Sequence, residues 1–266
     1  MIKGVIFDLD DTLTIHDDLY ECSYLKVIEK FLPNYKNDSK NILNIFINTI
    51  HKIGTEKLFS TYKETKFGGR DILWGDCGGK GEVSEYLNER YLKFRIEIWK
   101  EVFNNFGIEK SKEEILKINN FYTYSMWEGI KLFDDVIPTL QNLKNMKLGI
   151  LTNGMILHQR RKMAKSGILN FFSKNNRKIL TSSESILGKP NNKPFEVILN
   201  KLNLSNSEVL MVGDSLESDI LGANKMGITS ILLNRRNINY TNNSIKPNYE
   251  INNLEFVFDI SSDKYL

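Results

Sequence analysis

Five side chains suited to phosphoryl chemistry stand at separate points of the chain, each beside a short apolar run or at the start of a helical pattern. They are Asp8, Asp10, Thr152, Lys189 and Asp214. Carboxylate and hydroxyl oxygens are hard ligands, which favour Mg²⁺ over zinc or copper. A carboxylate can attack phosphorus as a nucleophile, and a lysine can neutralise a phosphate. These residue types therefore indicate a site for phosphoryl transfer.

The apolar runs beside these residues are short and often β-branched, which is typical of buried strands in a parallel sheet. The predicted strands cover residues 2–9, 147–151, 178–180, 208–212, 229–233 and 249–251. Predicted helices between or after them cover residues 136–145, 156–166, 194–202, 218–226 and 254–260. This alternation predicts an α/β fold with a doubly wound, mainly parallel, Rossmann-like sheet. Ligands of such sheets bind at the carboxyl ends of the strands, where the candidate residues stand.

The segment from residue 15 to residue 129 breaks this alternation and is predicted to be helical. Apolar residues recur there at three- and four-residue spacing over 24–32, 42–52, 83–106 and 112–124. The simplest organisation is a discontinuous α/β core domain, residues 1–14 and 130–266, with a helical cap domain, residues 15–129, inserted after the first strand.

A glycine-dense stretch, residues 67–81, lies within this insert. Its run from Gly75 to Lys80 lacks the spacing of a phosphate-binding P-loop and the Ser or Thr after the lysine. We therefore expect a mobile loop between helices rather than a ligand site, because glycine supplies conformational freedom.

Four motifs of the chain resemble motifs I to IV of the haloacid dehalogenase superfamily, in the same order. They are the run from Asp8 to Thr12, then Thr152, then Lys189, then the run from Gly213 to Asp219. Within the superfamily they look most like YjjG-type pyrimidine 5′-nucleotidases and N-acylneuraminate-9-phosphatases of subfamily I. The insertion point of the helical segment matches a C1 cap.

The resemblance implies a role for each matched residue. Asp8 would attack phosphorus and form an aspartyl-phosphate, while Asp10 would act as general acid and then general base. Thr152 and Asn153 would hydrogen-bond the phosphoryl group, and Lys189 would supply a fixed positive charge.

The resemblance also implies a Mg²⁺ cofactor. Its ligands would be Asp8, the backbone carbonyl of Asp10, and Asp214. Asp219 is expected to position Lys189 or a metal-bound water, with direct ligation as the second possibility.

The remaining polar residues carry weaker expectations. His16, His51 and His158 are isolated, which is typical of surface or core filler, although the place of His16 after the first motif makes it a candidate for substrate binding. Arg70 is a further candidate, with Lys66 and Lys80, for meeting an anionic substrate. The run from Arg160 to Lys162 is typical of a solvated helix face. Ser215 and Ser218 could each cap the helix that follows, and capping is the preferred account of Ser218.

Composition excludes several classes of protein. The chain has 266 residues with 36 Lys and Arg against 33 Asp and Glu, a net charge of +3, which is too small to indicate a nucleic-acid polymer as partner. Two cysteines build neither a disulfide framework nor a zinc site. No apolar run has the length of a membrane span. We expect a cytoplasmic monomer or homodimer.

Together these features predict a Mg²⁺-dependent phosphatase acting on a small soluble phosphomonoester. Nucleotides, sugar phosphates and triose phosphates all stay open as substrates. The alternatives are a phosphomutase or dehalogenase on the same scaffold and a phospho-aspartate signalling module. Halide displacement does not need a leaving-group acid such as Asp10, and a signalling receiver domain has no large inserted cap.

Overall fold

The computed structural model of the protein describes residues 1–58, 62–76, 78, 81–172, 176–240 and 244–262. The chain divides into two compact units. The first comprises Met1–Ile15, Lys131–Asn153 and Met163–Leu266; the second comprises His16–Ile130 and Gly154–Lys162. The second unit thus includes nine residues, 154–162, that the sequence assigns to the core domain.

The first unit is built on a six-stranded parallel sheet. Its strands are β1 (Gly4–Phe7), β2 (Lys147–Thr152), β3 (Arg177–Thr181), β4 (Val209–Gly213), β5 (Thr229–Leu233) and β6 (Tyr249–Ile251). Their spatial order is β3-β2-β1-β4-β5-β6, with parallel pairing throughout. This is the order of the doubly wound dinucleotide-binding sheets, and it confirms the predicted fold class.

The helices of the chain fall close to the predicted positions. In chain order they are α1 (Asp17–Phe31), α2 (Ser39–Ile50), α3 (Glu82–Asn104), α4 (Lys112–Gly129), α5 (Val136–Asn142), α6 (Ile156–Lys165), α7 (Ser182–Ser185), α8 (Asn192–Leu202), α9 (Leu221–Lys225) and α10 (Phe256–Ser261). A π-helix over Leu216–Ile220 precedes α9. No helix among the described ranges has the length and apolarity needed to span a bilayer.

Both faces of the sheet are covered, because successive side chains of a strand point to opposite faces. Val5 and Phe7 of β1 pack into one apolar cluster, while Ile6 packs into another. In β4, Leu210 and Val212 join the first cluster and their alternate neighbours the second. A strand buried on both faces has to be apolar along its length, so its first polar residue marks the end of the strand.

The second unit has its own core, formed by α1 to α4 and rich in aromatic side chains. Tyr24 stacks on Tyr122 with ring centroids 5.1 Å apart, and Trp99 meets Tyr122 edge-on at 5.5 Å. The indole nitrogen of Trp99 donates to Asn119 at 2.9 Å, which satisfies a polar group inside the core.

The glycine-dense stretch contributes to this core, so the expectation of a mobile loop is wrong for its central part. Gly69–Leu73 forms a 3₁₀-helix. Ile72, Leu73 and Trp74 are each at most 1% exposed, since these large apolar side chains have a core to enter. Three residues of the stretch, Cys77, Gly79 and Lys80, lie outside the described residues, and with them the expectation for Lys80.

Candidate active site

The loops after β1, β2 and β4 begin at the same edge of the sheet. Phe7, the last residue of β1, is in register with Ile150 of β2 and Val212 of β4. Asp8 therefore lies level with Leu151 and Gly213, one residue before Thr152 and Asp214. Parallel pairing thus brings Asp8 to the same edge as residues more than a hundred positions further along the chain.

Lys189 contacts residues from three parts of the chain at this edge of the sheet. Its ammonium group donates to Asp8 Oδ1 at 2.5 Å and to the Leu151 carbonyl at 2.7 Å, and lies 2.6 Å from Asp219 Oδ1. Burial alone would lower the pKa of Lys189, but the Asp219 and Asp8 carboxylates outweigh it and raise that pKa above its ordinary value. The lysine is therefore a fixed positive charge at neutral pH.

Asn153 fixes the loop that carries Lys189. Its side-chain amide donates to the Lys189 carbonyl at 3.1 Å and accepts from the Lys189 backbone N–H at 2.8 Å. This reciprocal pair ties the end of β2 to the lysine loop. Thr152, at the end of β2, is 1% exposed.

Asp219 reaches Lys189 from the π-helix after β4. Its Oδ2 accepts from the Ser215 backbone N–H at 3.2 Å. A Cβ atom on Gly213 would lie 2.2 Å from that same Oδ2, so only glycine at this position leaves room for the carboxylate. The local cap is Ser215, whose Oγ accepts from the Ser218 N–H at 3.2 Å. The expectation of a cap is confirmed for Ser215 and wrong for Ser218, because Ser218 lies within the helix and its backbone N–H is the group that Ser215 caps.

The acidic residues of this edge fit a divalent cation. Asp8, Asp214 and Asp219 each present a carboxylate oxygen, all within 4.8 Å of one another. Burial, then the charges of Asp8 and Asp219, raise the pKa of Asp214 well above its ordinary value. Burial likewise raises the pKa of Asp8 to about 7, against the lowering effect of Lys189. One lysine does not balance three clustered carboxylates, whereas two further positive charges would.

The turn after β1 carries Asp10. The Asp10 Oδ1 atom accepts from the Thr14 hydroxyl at 3.2 Å, and Asp11 adopts a left-handed conformation with φ of 55°. The Thr12 hydroxyl donates to Asp214 Oδ1 at 3.3 Å. The turn after β1 is thus bonded to the loop after β4.

His16 and Arg70 belong to the second unit. His16 Nε2 lies 3.3 Å from the Lys162 ammonium. Arg70 pairs with Asp17 at 2.8 Å and stacks over the ring of Tyr20 at 4.3 Å.

Sequence reasoning missed a buried polar cluster in the second unit, centred on Asp71. Asp71 Oδ1 accepts from the Tyr20 hydroxyl at 2.6 Å and lies 3.4 Å from His158 Nε2. Lys162 is 0% exposed, so the expectation of a solvated lysine is wrong. His158 is also 0% exposed, which agrees with a place in the core, but its contact with Asp71 shows that it is not isolated. The four-residue spacing of His158 and Lys162, which puts them on one face of α6, is the signal that could have found them.

Comparison with known proteins places this arrangement in context. The model of the haloacid dehalogenase-like hydrolases matches residues 2–227. A glyceraldehyde 3-phosphate phosphatase of Methanopyrus kandleri is 26% identical over 98% of this chain and 97% of its own. The pyrimidine 5′-nucleotidase YjjG of Escherichia coli is 31% identical over 68% of this chain and 78% of its own. Among solved structures, the HAD-hydrolase YfnB of Bacillus subtilis has a TM-score of 0.65 at 22% identity, with 98% of each chain covered.

Proposed function

The chain belongs to the haloacid dehalogenase-like hydrolases, and from this premise we propose that it is a Mg²⁺-dependent phosphatase of small phosphomonoesters. The observation that supports the proposal most is the position of Lys189, whose ammonium group lies between Asp8 and Asp219. This arrangement offers a nucleophilic carboxylate next to a positive charge for the phosphate it attacks.

In the proposed reaction Asp8 attacks the phosphorus atom of the ester. The new bond joins an Asp8 oxygen to phosphorus, and the bond from phosphorus to the ester oxygen breaks. Asp10 gives its proton to the departing alkoxide, so an alcohol leaves. Lys189 offsets the charge on the phosphoryl oxygens as the bonds change.

The second half of the reaction restores the enzyme. A water molecule attacks the phosphorus of the aspartyl-phosphate and gives its proton to Asp10. The bond between phosphorus and Asp8 breaks, which releases inorganic phosphate and returns the Asp8 carboxylate. Asp10 thus ends the cycle protonated, as it began.

The residues that would hold Mg²⁺ are Asp8, the backbone carbonyl of Asp10, and Asp214. When bound, the ion neutralises the repulsion between a carboxylate nucleophile and an anionic ester. Burial, and then the neighbouring carboxylates, raise the pKa values of Asp8 and Asp214, and a cation held between them would offset both effects. Asp219 serves Lys189 in this scheme, because one of its oxygens lies 2.6 Å from the ammonium.

Triose phosphates are the first substrates to test. The relative from Methanopyrus kandleri, which aligns over nearly the whole chain, is named a glyceraldehyde 3-phosphate phosphatase. Nucleotides come second, because YjjG is named a pyrimidine 5′-nucleotidase. Sugar phosphates complete the set.

A panel of phosphomonoesters, assayed for phosphate release with and without Mg²⁺, tests the proposal. We expect Mg²⁺-dependent, multiple-turnover release from at least one of the three substrate classes. Isomer formation without phosphate release indicates a mutase instead, and a stable phosphoprotein without turnover indicates a signalling module. Halide release from haloacids, with no phosphate release from any ester, indicates a dehalogenase.

A further inference from the structure

Arg235 and Asp135 form a two-pronged ion pair in the first unit. Arg235 Nη1 donates to Asp135 Oδ2 at 2.8 Å, and Nη2 donates to Oδ1 at 2.9 Å. Both side chains are largely buried, at 15% and 7% exposure. Arg235 stands two residues beyond β5, and Asp135 immediately precedes α5.

Two further contacts hold the members of this ion pair in place. Asp135 Oδ2 also accepts from the backbone N–H of Leu254 at 2.9 Å. The guanidinium of Arg235 lies over the ring of Phe133, 3.9 Å from its centroid. The orientation of the guanidinium plane is therefore fixed by a carboxylate and by an aromatic face together.

The fixed guanidinium has one further bond, which reaches the turn after β1. Arg235 Nη2 donates to the backbone carbonyl of Thr12 at 3.0 Å. Thr12 is 0% exposed, and its hydroxyl already bonds Asp214. The carbonyl and the hydroxyl of one residue thus connect the turn to Arg235 and to the acidic cluster.

The same turn sets the direction of the Asp10 side chain. The Asp11 N–H donates to the Thr14 carbonyl at 2.8 Å, and the Thr14 hydroxyl donates to Asp10 Oδ1. Asp11 itself has a positive φ, in the left-handed region that few residues with a side chain adopt and that aspartate tolerates better than most, so bonds to its neighbours help to hold it there. The bond to the Thr12 carbonyl, one residue further on, is one of these.

We propose that Arg235, oriented by Asp135, is a positioning residue that holds the turn after β1 so that Asp10 is aimed at the leaving group. The inference rests on the proposed function, in which Asp10 is the general acid. Arg235 has no contact with the reacting atoms in this scheme and acts through the Thr12 carbonyl. A lysine cannot replace it, because one ammonium group cannot pair with both Asp135 oxygens in a plane and also bond Thr12.

This role predicts an effect that depends on the leaving group. An alkyl phosphate releases a strongly basic alkoxide that needs the proton of Asp10, whereas p-nitrophenyl phosphate releases a phenolate that departs without it. Misplacing Asp10 therefore slows the alkyl ester much more than the aryl ester. A purely structural role of Arg235 lowers the amount of folded enzyme and slows both esters alike.

The test compares Arg235→Lys and Arg235→Gln with wild type on p-nitrophenyl phosphate and on the best alkyl phosphate of the panel. The quantity compared is kcat/KM, which covers the steps up to release of the alcohol. Arg236→Gln, at the exposed neighbouring arginine, is the matched control. Asp10→Asn calibrates the effect of losing the acid, and thermal unfolding reports folding.

We expect both Arg235 variants to lose about ten- to a hundredfold in kcat/KM on the alkyl ester and several times less on the aryl ester. Asp10→Asn should likewise lose more kcat/KM on the alkyl ester than on the aryl ester. Equal losses on the two esters, or none, overturn the positioning role. If Arg235→Gln does not fold, the ratio of the kcat/KM losses on the alkyl and aryl esters is measured for Arg235→Lys and Asp135→Asn instead.

The result for Asp10→Asn distinguishes a failure of this inference from a failure of the proposed function. If Asp10→Asn discriminates between the esters and the Arg235 variants do not, the positioning role alone is overturned. If Asp10→Asn does not discriminate, or wild type hydrolyses neither ester, the proposed function is overturned, and the inference with it.

Discussion

The ammonium group of Lys189 lies 2.6 Å from a carboxylate oxygen of Asp219, and both side chains are almost completely buried. A carboxylate so close to a lysine interacts primarily with that lysine rather than with a metal ion. Asp219 therefore differs from Asp214, which accepts from the Thr12 hydroxyl and whose pKa is raised by neighbouring carboxylates more than Lys189 lowers it. The two acids should respond differently to substitution.

Asp219→Asn should lower kcat by about ten- to a hundredfold while changing the Mg²⁺ concentration for half-activation little. The reason is that the asparagine leaves Lys189 with one carboxylate partner and a less fixed position. Asp214→Asn is the comparison and should raise the Mg²⁺ requirement strongly. Measuring activity against Mg²⁺ concentration for both variants checks this, and an equally raised Mg²⁺ requirement in Asp219→Asn makes that residue a direct ligand.

Gly213→Ala should reproduce the kinetic defect of Asp219→Asn, because the added methyl group needs the space of Asp219 Oδ2, 2.2 Å away. The expected loss in kcat is again about tenfold or more, since a displaced partner no longer orients Lys189. Gly68→Ala, where the nearest atom to the new Cβ is 3.5 Å away, is the control and should keep wild-type kinetics. Unchanged kcat in folded Gly213→Ala contradicts the packing argument.

Lys189→Met should destabilise the protein by about 3 kcal/mol in the absence of Mg²⁺, because it leaves two buried carboxylates without their positive partner. Urea unfolding at neutral pH measures this loss. Lys193→Met, at an exposed lysine with a 3.8 Å pair to Glu196, should change the free energy of unfolding by less than about 0.5 kcal/mol. Equal stability of the two variants would mean that the Lys189 pairs make no net contribution.

The contribution of Asp71 to the stability of the protein should depend on pH. Burial alone would raise its pKa, but Lys162, His158 and His16 outweigh burial and hold the pKa well below the ordinary value of 3.8. A depressed carboxyl pKa contributes stability that is fully present above the unfolded pKa and is lost as pH falls through the folded pKa.

The difference in unfolding free energy between wild type and Asp71→Asn should therefore shrink as pH falls below 3.8. Urea unfolding over a pH series measures it. A difference that stays constant to the lowest pH at which the protein folds contradicts the lowered pKa.

The sheet and most of the candidate site were predictable from sequence because a strand buried on both faces leaves a short apolar run. Asp8 and Asp214 end two such runs, and parallel register then fixes their proximity. Lys189 could be proposed only as a member of the set, since nothing in its loop alone distinguishes it from a solvated lysine, and its role came from the resemblance.

The rest depends on contacts between residues distant in sequence. Lys162 looks solvated beside two arginines, and only the fold buries it near Asp71. Arg235 and Asp135 are a hundred residues apart, and each is ordinary in its local sequence. Tertiary packing decides such positions. For Lys162 the sequence offers only its four-residue spacing from His158, and for Arg235 and Asp135 periodicity and composition offer no signal.

Trapping the covalent intermediate tests the central claim most directly. Enzyme mixed with a ³²P-labelled phosphomonoester and Mg²⁺ should, on rapid acid quenching, give a protein-bound label that is labile to alkali and is absent from Asp8→Asn. That variant should also release no phosphate while unfolding like wild type. Phosphate release by folded Asp8→Asn at the wild-type rate would contradict the role of Asp8 as the nucleophile.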